Sequence, residues 1–430
     1  MSQTNKNLNV ITILAMMFLY AMIAFVTNLA APVGKIWENS LAGTSSASTL
    51  GMLGNMMNFL AYLCMGIPAG KMLAKVGYKK TALTAIAIGF VGVLIQYLSG
   101  VTASFTVYLT GAFIGGFSVC MLNTVVNPLL NLLGGGGNRG NQLNMIGGTL
   151  NSLSASLTPM LVGALIGSSL AGKTIADVNP VLYIAMGVFV LVFLTILVMP
   201  IAEPQQAGKD TRYERSPWAF RHFVLGTIAI FIYVGVEIGI PATLISYLSN
   251  EQYGVGFSFE TAGFVAGLYW LLMLVGRFIG SAIGGNVSSK VMISSVSIVA
   301  ILLLVSAICL GDSSRVAMPV NWSFETAQLP IATLLCVLCG LCTSVMWGCI
   351  FNMAVEGLGK YTAAGSGIFM MMVVGGGIIP LIQSAVADAY AAEHGTGYLI
   401  SYIVPMIGIA YILCYALFGS KNVNKDIKVD

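Results

Sequence analysis

The chain alternates long apolar runs with short turns rich in Gly, Lys, Asn and Ser. A helix crossing a hydrocarbon core needs about 20 mostly apolar residues. Runs of that kind are read at 10–34, 48–73, 81–100, 104–132, 145–170 and 180–201. Six more follow at 219–249, 259–285, 291–310, 329–355, 363–390 and 398–419. The pattern predicts an all-α polytopic membrane protein with 12 transmembrane helices. It divides into a six-helix bundle over 1–201, a polar linker over 202–218 and a second six-helix bundle over 219–430. Glu203–Trp218 is the only long charged stretch between spans. The even pairing of spans argues that the first helix is retained.

Composition agrees. Of the 430 residues, 57% are hydrophobic and 8% charged, against roughly 25% charged in a soluble domain. All eight Cys lie inside apolar runs, where a thiol packs as a small apolar group. Cys336, Cys339 and Cys342 have a metal comb's spacing, yet no His is near them in sequence. No metal or cofactor is therefore expected. His222 and His394 fall at opposite faces and no nucleophile triad is present in sequence, so the chain is not read as an enzyme.

The net charge of +4 acts as a topology signal and not as a footprint for nucleic acid. With an internal N-terminus, 15 of the 19 Lys and Arg fall in cytoplasmic segments. Only Lys35, Lys173 and Arg315 fall outside, while Arg277 lies within a span. Basic residues concentrate on the cytoplasmic side. Both termini are expected inside a multi-pass cell (inner) membrane protein.

A unit repeats at half the chain length. Gly66–Lys80 (GIPAGKMLAKVGYKK) aligns with Gly276–Lys290 (GRFIGSAIGGNVSSK), pairing Gly66 with Gly276, Gly70 with Gly280 and Lys80 with Lys290. Asn127 followed by Gly134 matches Asn352 followed by Gly359, and Pro159 matches Pro380. The offset grows because the outer loop Gly311–Gln328 is longer than its counterpart. Such a repeat implies two related halves. Glycines let helices approach closely, and cations pin the turn beyond them. Gly66, Gly70, Gly77, Lys79, Lys80 and Arg277 are accordingly read as gating residues.

These residues resemble the major facilitator superfamily. Gly70–Lys80 is similar to its loop motif between spans two and three, with Ala74 where an acid is usual. Further motifs resemble the sugar–proton symporter family that includes fucose permease and the glucose/galactose transporters. They are Asn127-Pro128 with Gly134, Asn151-Ser152-Leu153 with Pro159, and Tyr233-Val-Gly-Val-Glu237. Tyr269-Trp270 with Gly276–Gly280, Glu356–Thr362, and Gly375–Pro380 with Gln383 and Ala387-Asp388 complete the set. The resemblance implies two six-helix halves rocking about a midplane solute site. It departs at the acids tied to proton handling. Span one reads Thr27-Asn28-Leu29-Ala30-Ala31, span four has Asn123, and Gly148 stands at the family's span-five glutamine. Sugar transport carries over; the proton mechanism does not.

Ionisable groups inside a span cost roughly 2.5–3.5 kcal/mol on insertion scales, so each needs a reason. Glu237 is the only carboxylate read near mid-membrane. It is either a proton or sodium carrier, an acceptor for sugar hydroxyls, or a structural carboxylate. Arg277 is expected to bond helix-end carbonyls or Glu356, and Asp388 to serve as an outer cap or gate contact. Asn28, Asn55, Asn58, Asn123, Asn127, Asn131, Asn151, Asn352 and Gln383 all fall within spans. An amide both donates and accepts, which suits neutral polyols, although the same groups can bond helix to helix. The substrate-binding set is read as Asn28, Asn123, Asn127, Asn151, Glu237, Trp270, Asn352 and Gln383. Trp270 and Trp347 could stack on a sugar's C–H face or simply pack. Gly134–Gly137 is read as a flexible turn, and Gly375–Gly377 as a bend in span eleven.

The chain is thus expected to import a neutral sugar (hexose, deoxyhexose or amino sugar) by alternating access, as a monomer in the lipid bilayer. Coupling to H+ or Na+ through Glu237, or none at all, stays open. A carrier of nucleosides, peptidoglycan fragments or drugs is the alternative. A drug exporter would favour an apolar, aromatic cavity over intramembrane amides.

Overall fold

The computed structural model describes residues 3–40, 47–166, 175–201, 215–249, 254–257, 259–394, 397–424 and 426–429. The side chains of Asn28, Asn55, Pro159 and Asp388 lie outside the described set, as does most of the polar linker, 202–214. Each apolar run folds as a helix because nothing but an intrahelical bond can satisfy its backbone in lipid. A first group holds α1 (Gln3–Ser40), α2 (Ala47–Val76), α3 (Tyr78–Thr102), α4 (Phe105–Leu133), α5 (Gly137–Ile166) and α6 (Asn179–Val198). A second group begins with α7 (Arg221–Ser249), α8 (Phe259–Ile283) and α9 (Ser289–Leu310). Three broken rods complete it: α10 (Ile331–Thr343) with α11 (Met346–Val355), α12 (Thr362–Met371) with α13 (Gly375–His394), and α14 (Gly397–Ile400) with α15 (Ile403–Cys414).

Among the described residues, 11 helices or rods are long and apolar enough to cross a membrane. α5, 30 residues long, carries Asn141, Gln142, Asn144, Thr149 and Asn151 in its first half. Hydrogen bonds to α1 and α8 hold it. Asn151 Nδ2 donates to the Tyr20 carbonyl at 3.0 Å, Ser154 Oγ to the Ala21 carbonyl at 2.8 Å, and Gln142 Nε2 to the Ser281 carbonyl at 2.9 Å.

The basic turns close helix ends. Gly77 has φ 92°, a backbone conformation open to glycine at little cost, and α3 starts from it. Lys79 Nζ then donates to the carbonyls of Leu197 and Met199, both at 2.9 Å, capping the end of α6. A helix C-terminus leaves its last carbonyls unpartnered and favours a cation. In the second group Lys290 does this, donating to the Leu417 carbonyl at 2.9 Å. The structural partner of Lys290 is therefore Lys79; Lys80, which the sequence alignment paired with it, is exposed. The repeat slips by one residue beyond the turn.

The long loop after α9 is a β-hairpin. Strands β1 (Arg315–Pro319) and β2 (Thr326–Pro330) pair antiparallel, Arg315 opposite Pro330 and Pro319 opposite Thr326. In β1 the exposed Arg315 and Ala317 alternate with the less exposed Val316 and Met318, the period-two pattern of a strand with one covered face. The hairpin stands at one end of the bundle. The other end carries the described tail, where the backbone of Val429 accepts from Lys360 N at 3.0 Å.

At that tail end the two groups meet without a gap. Gly66 of α2 lies so close to α12 that a Cβ would come within 2.6 Å of the Gly367 carbonyl. Only hydrogen side chains permit this approach. Across the same end Asn131 Nδ2 donates to Asn352 Oδ1 at 2.9 Å, and Asn141 and Asn352 both donate to Ser289 Oγ, at 3.0 and 2.9 Å.

Candidate functional site

Between the two groups lies a cavity of about 1280 Å³, sealed at the tail end and running to the hairpin, where Asn321, Trp322 and Glu325 line it. Its two walls differ in kind.

The first wall comes from α1, α2, α4 and α5, and it is neutral. Asn123 Nδ2 donates to the Tyr62 hydroxyl at 2.9 Å and to the Val119 carbonyl at 3.1 Å. Behind it Asn127 is fully buried. Its Oδ1 accepts from the Tyr20 hydroxyl and, across to the second group, from Trp347 Nε1 at 3.0 Å. Its Nδ2 donates to the Asn123 carbonyl at 2.8 Å. On α5, Asn144, Gly148, Asn151 and Ser152 share the cavity face, as spacings of four, seven and eight residues require.

The second wall carries charge. Arg277 on α8 and Glu237 on α7 form an ion pair, NH2 to Oε1 at 3.2 Å, each side chain 12% exposed. The guanidinium spends its other donors on both groups. NH1 donates to the Gly148 carbonyl at 3.0 Å and to Ser152 Oγ at 2.7 Å, and Nε to the Ser344 carbonyl at 3.3 Å. A buried guanidinium needs this many acceptors to offset lost hydration. Two of them exist through local accidents of sequence. Ser344 falls in the break between α10 and α11, and a Cβ on Gly148 would sit 3.5 Å from Arg277 Cδ. Gly148, at the position where the resemblance led to a glutamine, thus lies against the Arg277 side chain, and a Cβ there would make ordinary van der Waals contact with it. Trp270 and Trp347 add aromatic surface to the cavity, Trp270 set edge-on to Tyr269 at 5.5 Å.

The residues expected from sequence therefore separate into three sets. Asn123, Asn151, Glu237 and Trp270 line the cavity, joined by Arg277 from the gating set. Asn127, Asn352 and Gln383 do not. Asn127 braces Tyr20 and Trp347 from behind, and Asn352 belongs to the tail-end seam. Gln383 is wholly buried, with neither amide atom partnered among the described residues. Asn28 and Asp388 lie outside the described side chains. Arg277 bonds carbonyls, as expected, but its carboxylate is Glu237; Glu356 is exposed and contributes only its carbonyl, to His222 Nε2 at 2.8 Å. Reasoning from sequence passed over Tyr20, Tyr62, Asn144 and Ser344. For Asn144 a signal existed, since it stands one helical face and seven residues before Asn151.

Two helical groups around a central cavity, each repeating the other's basic turn, define a membrane-transport architecture. The family model of the Major Facilitator Superfamily matches residues 12–381, and the chain belongs to that superfamily. A glucose/galactose transporter of Brucella abortus is 31% identical over 383 residues, spanning 87% of this chain and 86% of the relative. The L-fucose-proton symporter of Escherichia coli is 24% identical over 394 residues, 85% of this chain and 83% of that one. The crystal structure of the E. coli fucose:proton symporter superposes with TM-score 0.79 at 20% identity, covering 96% of this chain and all of that one. Its outward conformation gives TM-score 0.76 over 94% and 99%.

Proposed function

We propose that this protein carries a neutral hexose-class sugar across the cell's inner membrane by alternating access. Residues 1–201 and 219–430 act as the two rocking halves, joined by the linker 202–218. The observation that carries this reading is the central cavity, walled on one side by neutral amides and hydroxyls and on the other by a compensated ion pair with the indoles of Trp270, Trp322 and Trp347. Polar groups that both donate and accept, beside aromatic faces, fit a polyol with an apolar C–H side. The relatives named for glucose, galactose and fucose support the same substrate class. The excess of Lys and Arg at the tail end supports a cytoplasmic position for both termini, which makes this conformation open to the outside and shut within. The sealed end is then the inner gate, formed by Gly66, Gly70 and Gly367 on one side and by Arg277 with Ser152 on the other.

The ion pair also bears on coupling. Glu237 and Arg277 both belong to the second half, so a rigid rocking motion breaks the contacts of Arg277 with Gly148 and Ser152 but not the pair. Glu237 thus keeps its counter-ion through the cycle. This supports transport without obligatory proton uptake, and among the described residues Glu237 is the one deep carboxylate at which a proton or sodium ion could enter. One chain contains the whole site, so a monomer suffices.

Uptake of labelled glucose and galactose into proteoliposomes tests both points, with a pH gradient, a sodium gradient or neither. Equilibration that no gradient drives into accumulation is the expected result. Accumulation under one gradient, abolished by Glu237→Gln, would assign coupling to Glu237. No uptake of either sugar, with uptake of another solute class, would overturn the sugar reading.

A further inference from the structure

The first wall contains one amide that the protein leaves largely unused. Asn144 lines the cavity and is 3% exposed, yet its Nδ2 has no partner among the described residues. Its Oδ1 has only the Tyr20 hydroxyl, at 3.5 Å. Proton counting makes that contact weaker still. A tyrosine has one hydroxyl proton, and Tyr20 commits it to Asn127 Oδ1, the far nearer acceptor. Asn127 in turn is saturated, since it also accepts from Trp347 and donates to the Asn123 carbonyl. Turning the Asn144 amide over exchanges oxygen for nitrogen but still leaves one end without a partner.

A buried polar group with no partner costs about 1–3 kcal/mol, and among the unpartnered amides of the described residues Asn144 lines the cavity while the others, Asn141 and Gln383 among them, do not. The neighbouring amides point the same way. Asn123 and Asn151 also line the cavity, but their Nδ2 groups are already spent on Tyr62, Val119 and the Tyr20 carbonyl. The fourth cavity asparagine, Asn321, donates to Glu325 Oε2 at 2.6 Å, so Asn144 alone among the four keeps an unpartnered donor in the described structure. Gly147 and Asn127 hold Tyr20 against it, because a Cβ at Gly147 would run into the Tyr20 ring. The amide is thus fixed in place beside Tyr20 in the cavity wall, with its Nδ2 covered until the wall takes up a ligand.

We propose that Asn144 reads the substrate's hydroxyl pattern: its amide takes two adjacent hydroxyls of a vicinal diol, donating to one from Nδ2 and accepting from the other at Oδ1. The inference rests on the sugar reading above and names the feature of the sugar that is recognised. Tyr20 is the positioning residue, and its own hydroxyl stays turned to Asn127. A site built to bond a hydroxyl discriminates strongly against the analogue that lacks it, because the protein group is then stranded.

The test measures kcat/KM in proteoliposomes for glucose, galactose and each monodeoxy analogue, with wild type, Asn144→Leu and Asn144→Asp. In wild type, two analogues deoxygenated at neighbouring ring positions should each lose on the order of 10–100-fold. Asn144→Leu should lose a similar factor with the parent sugar and nothing further with those two analogues, while staying sensitive to the other positions. Losses that multiply instead of overlapping would overturn the assignment. Should Asn144→Leu fail to fold, Asn144→Asp carries the test, since it keeps the shape and loses the donor. A sugar hydroxyl can turn and donate to the new oxygen, so the penalty for deoxygenation should change at those two positions and at no other, and a profile identical to wild type would overturn the assignment. If wild type moves neither parent sugar, the sugar reading itself falls. If it moves one but the analogue pattern ignores residue 144, only this inference falls.

Discussion

The two walls of the cavity solve the same problem in opposite ways. On the α1–α5 side, polarity is divided among many neutral groups, most of them bonded within that wall and each replaceable at modest cost. On the α7–α11 side, it is concentrated in one ion pair whose five-fold donor head touches both groups of helices. A distributed wall tolerates injury; a concentrated one does not. The difference fits a division of labour in which the neutral wall recognises hydroxyls and the charged wall ties recognition to the inner gate.

The charged wall should break first and hardest. Arg277→Met strands Glu237 in a buried site, and uncompensated buried charges of this kind cost about 3–5 kcal/mol. Detergent melting curves should fall steeply and transport should vanish. Arg277→Met with Glu237→Gln should recover most of the melting temperature without recovering transport, because the tie to Gly148 and Ser152 stays cut. A double variant no more stable than the single one would mean that the pair is not the unit. Next in size is the seam between the walls. Gly367→Leu cannot fit against the backbone of Gly66 and Gly70, so the tail end should stay ajar. Cysteines introduced at that end should label from the cytoplasmic side irrespective of sugar, with uptake lost; unchanged labelling would remove this contact from the gate.

A smaller effect is expected on the neutral wall. Asn127→Ala leaves the Tyr20 hydroxyl and the Trp347 indole N–H without their acceptor, a loss of about 1–3 kcal/mol in stability. Sugar affinity should weaken while maximal rate is largely kept, and a rate collapse matching that of Arg277→Met would erase the distinction between the walls. The smallest change is at the periphery. Lys79→Ala uncaps α6 and should cost at most about 1 kcal/mol, visible by melting temperature, whereas Lys80→Ala should cost nothing measurable.

The helices were legible in the sequence because a bilayer imposes length and apolarity on its spans, while the polar side chains of α5 bond to neighbouring helices. The site was legible as a list of residues and illegible as an arrangement. Glu237 and Arg277 each stood out as charges in apolar surroundings, but their contact spans 40 positions and two helices, and no periodicity encodes it. Asn352 looked like Asn123 in composition and differs only in depth, so one joined the seam and the other the cavity. Gln383 was drawn in by position on span eleven, yet it packs beside Gly239 of α7. The hairpin was hidden because five-residue strands with Pro at their ends resemble a long polar loop. Lys79 and Lys80 could not be told apart, since a side chain's target is a property of three dimensions.

The ion pair has one more consequence, in electrical terms. A buried charge that moves through the membrane field feels about 2.3 kcal/mol per 100 mV. Glu237 and Arg277 travel together with opposite signs, so the pair presents no net charge to that field. On the uncoupled reading proposed above, a carrier with a neutral passenger should work at the same pace in an energised cell and in a depolarised one.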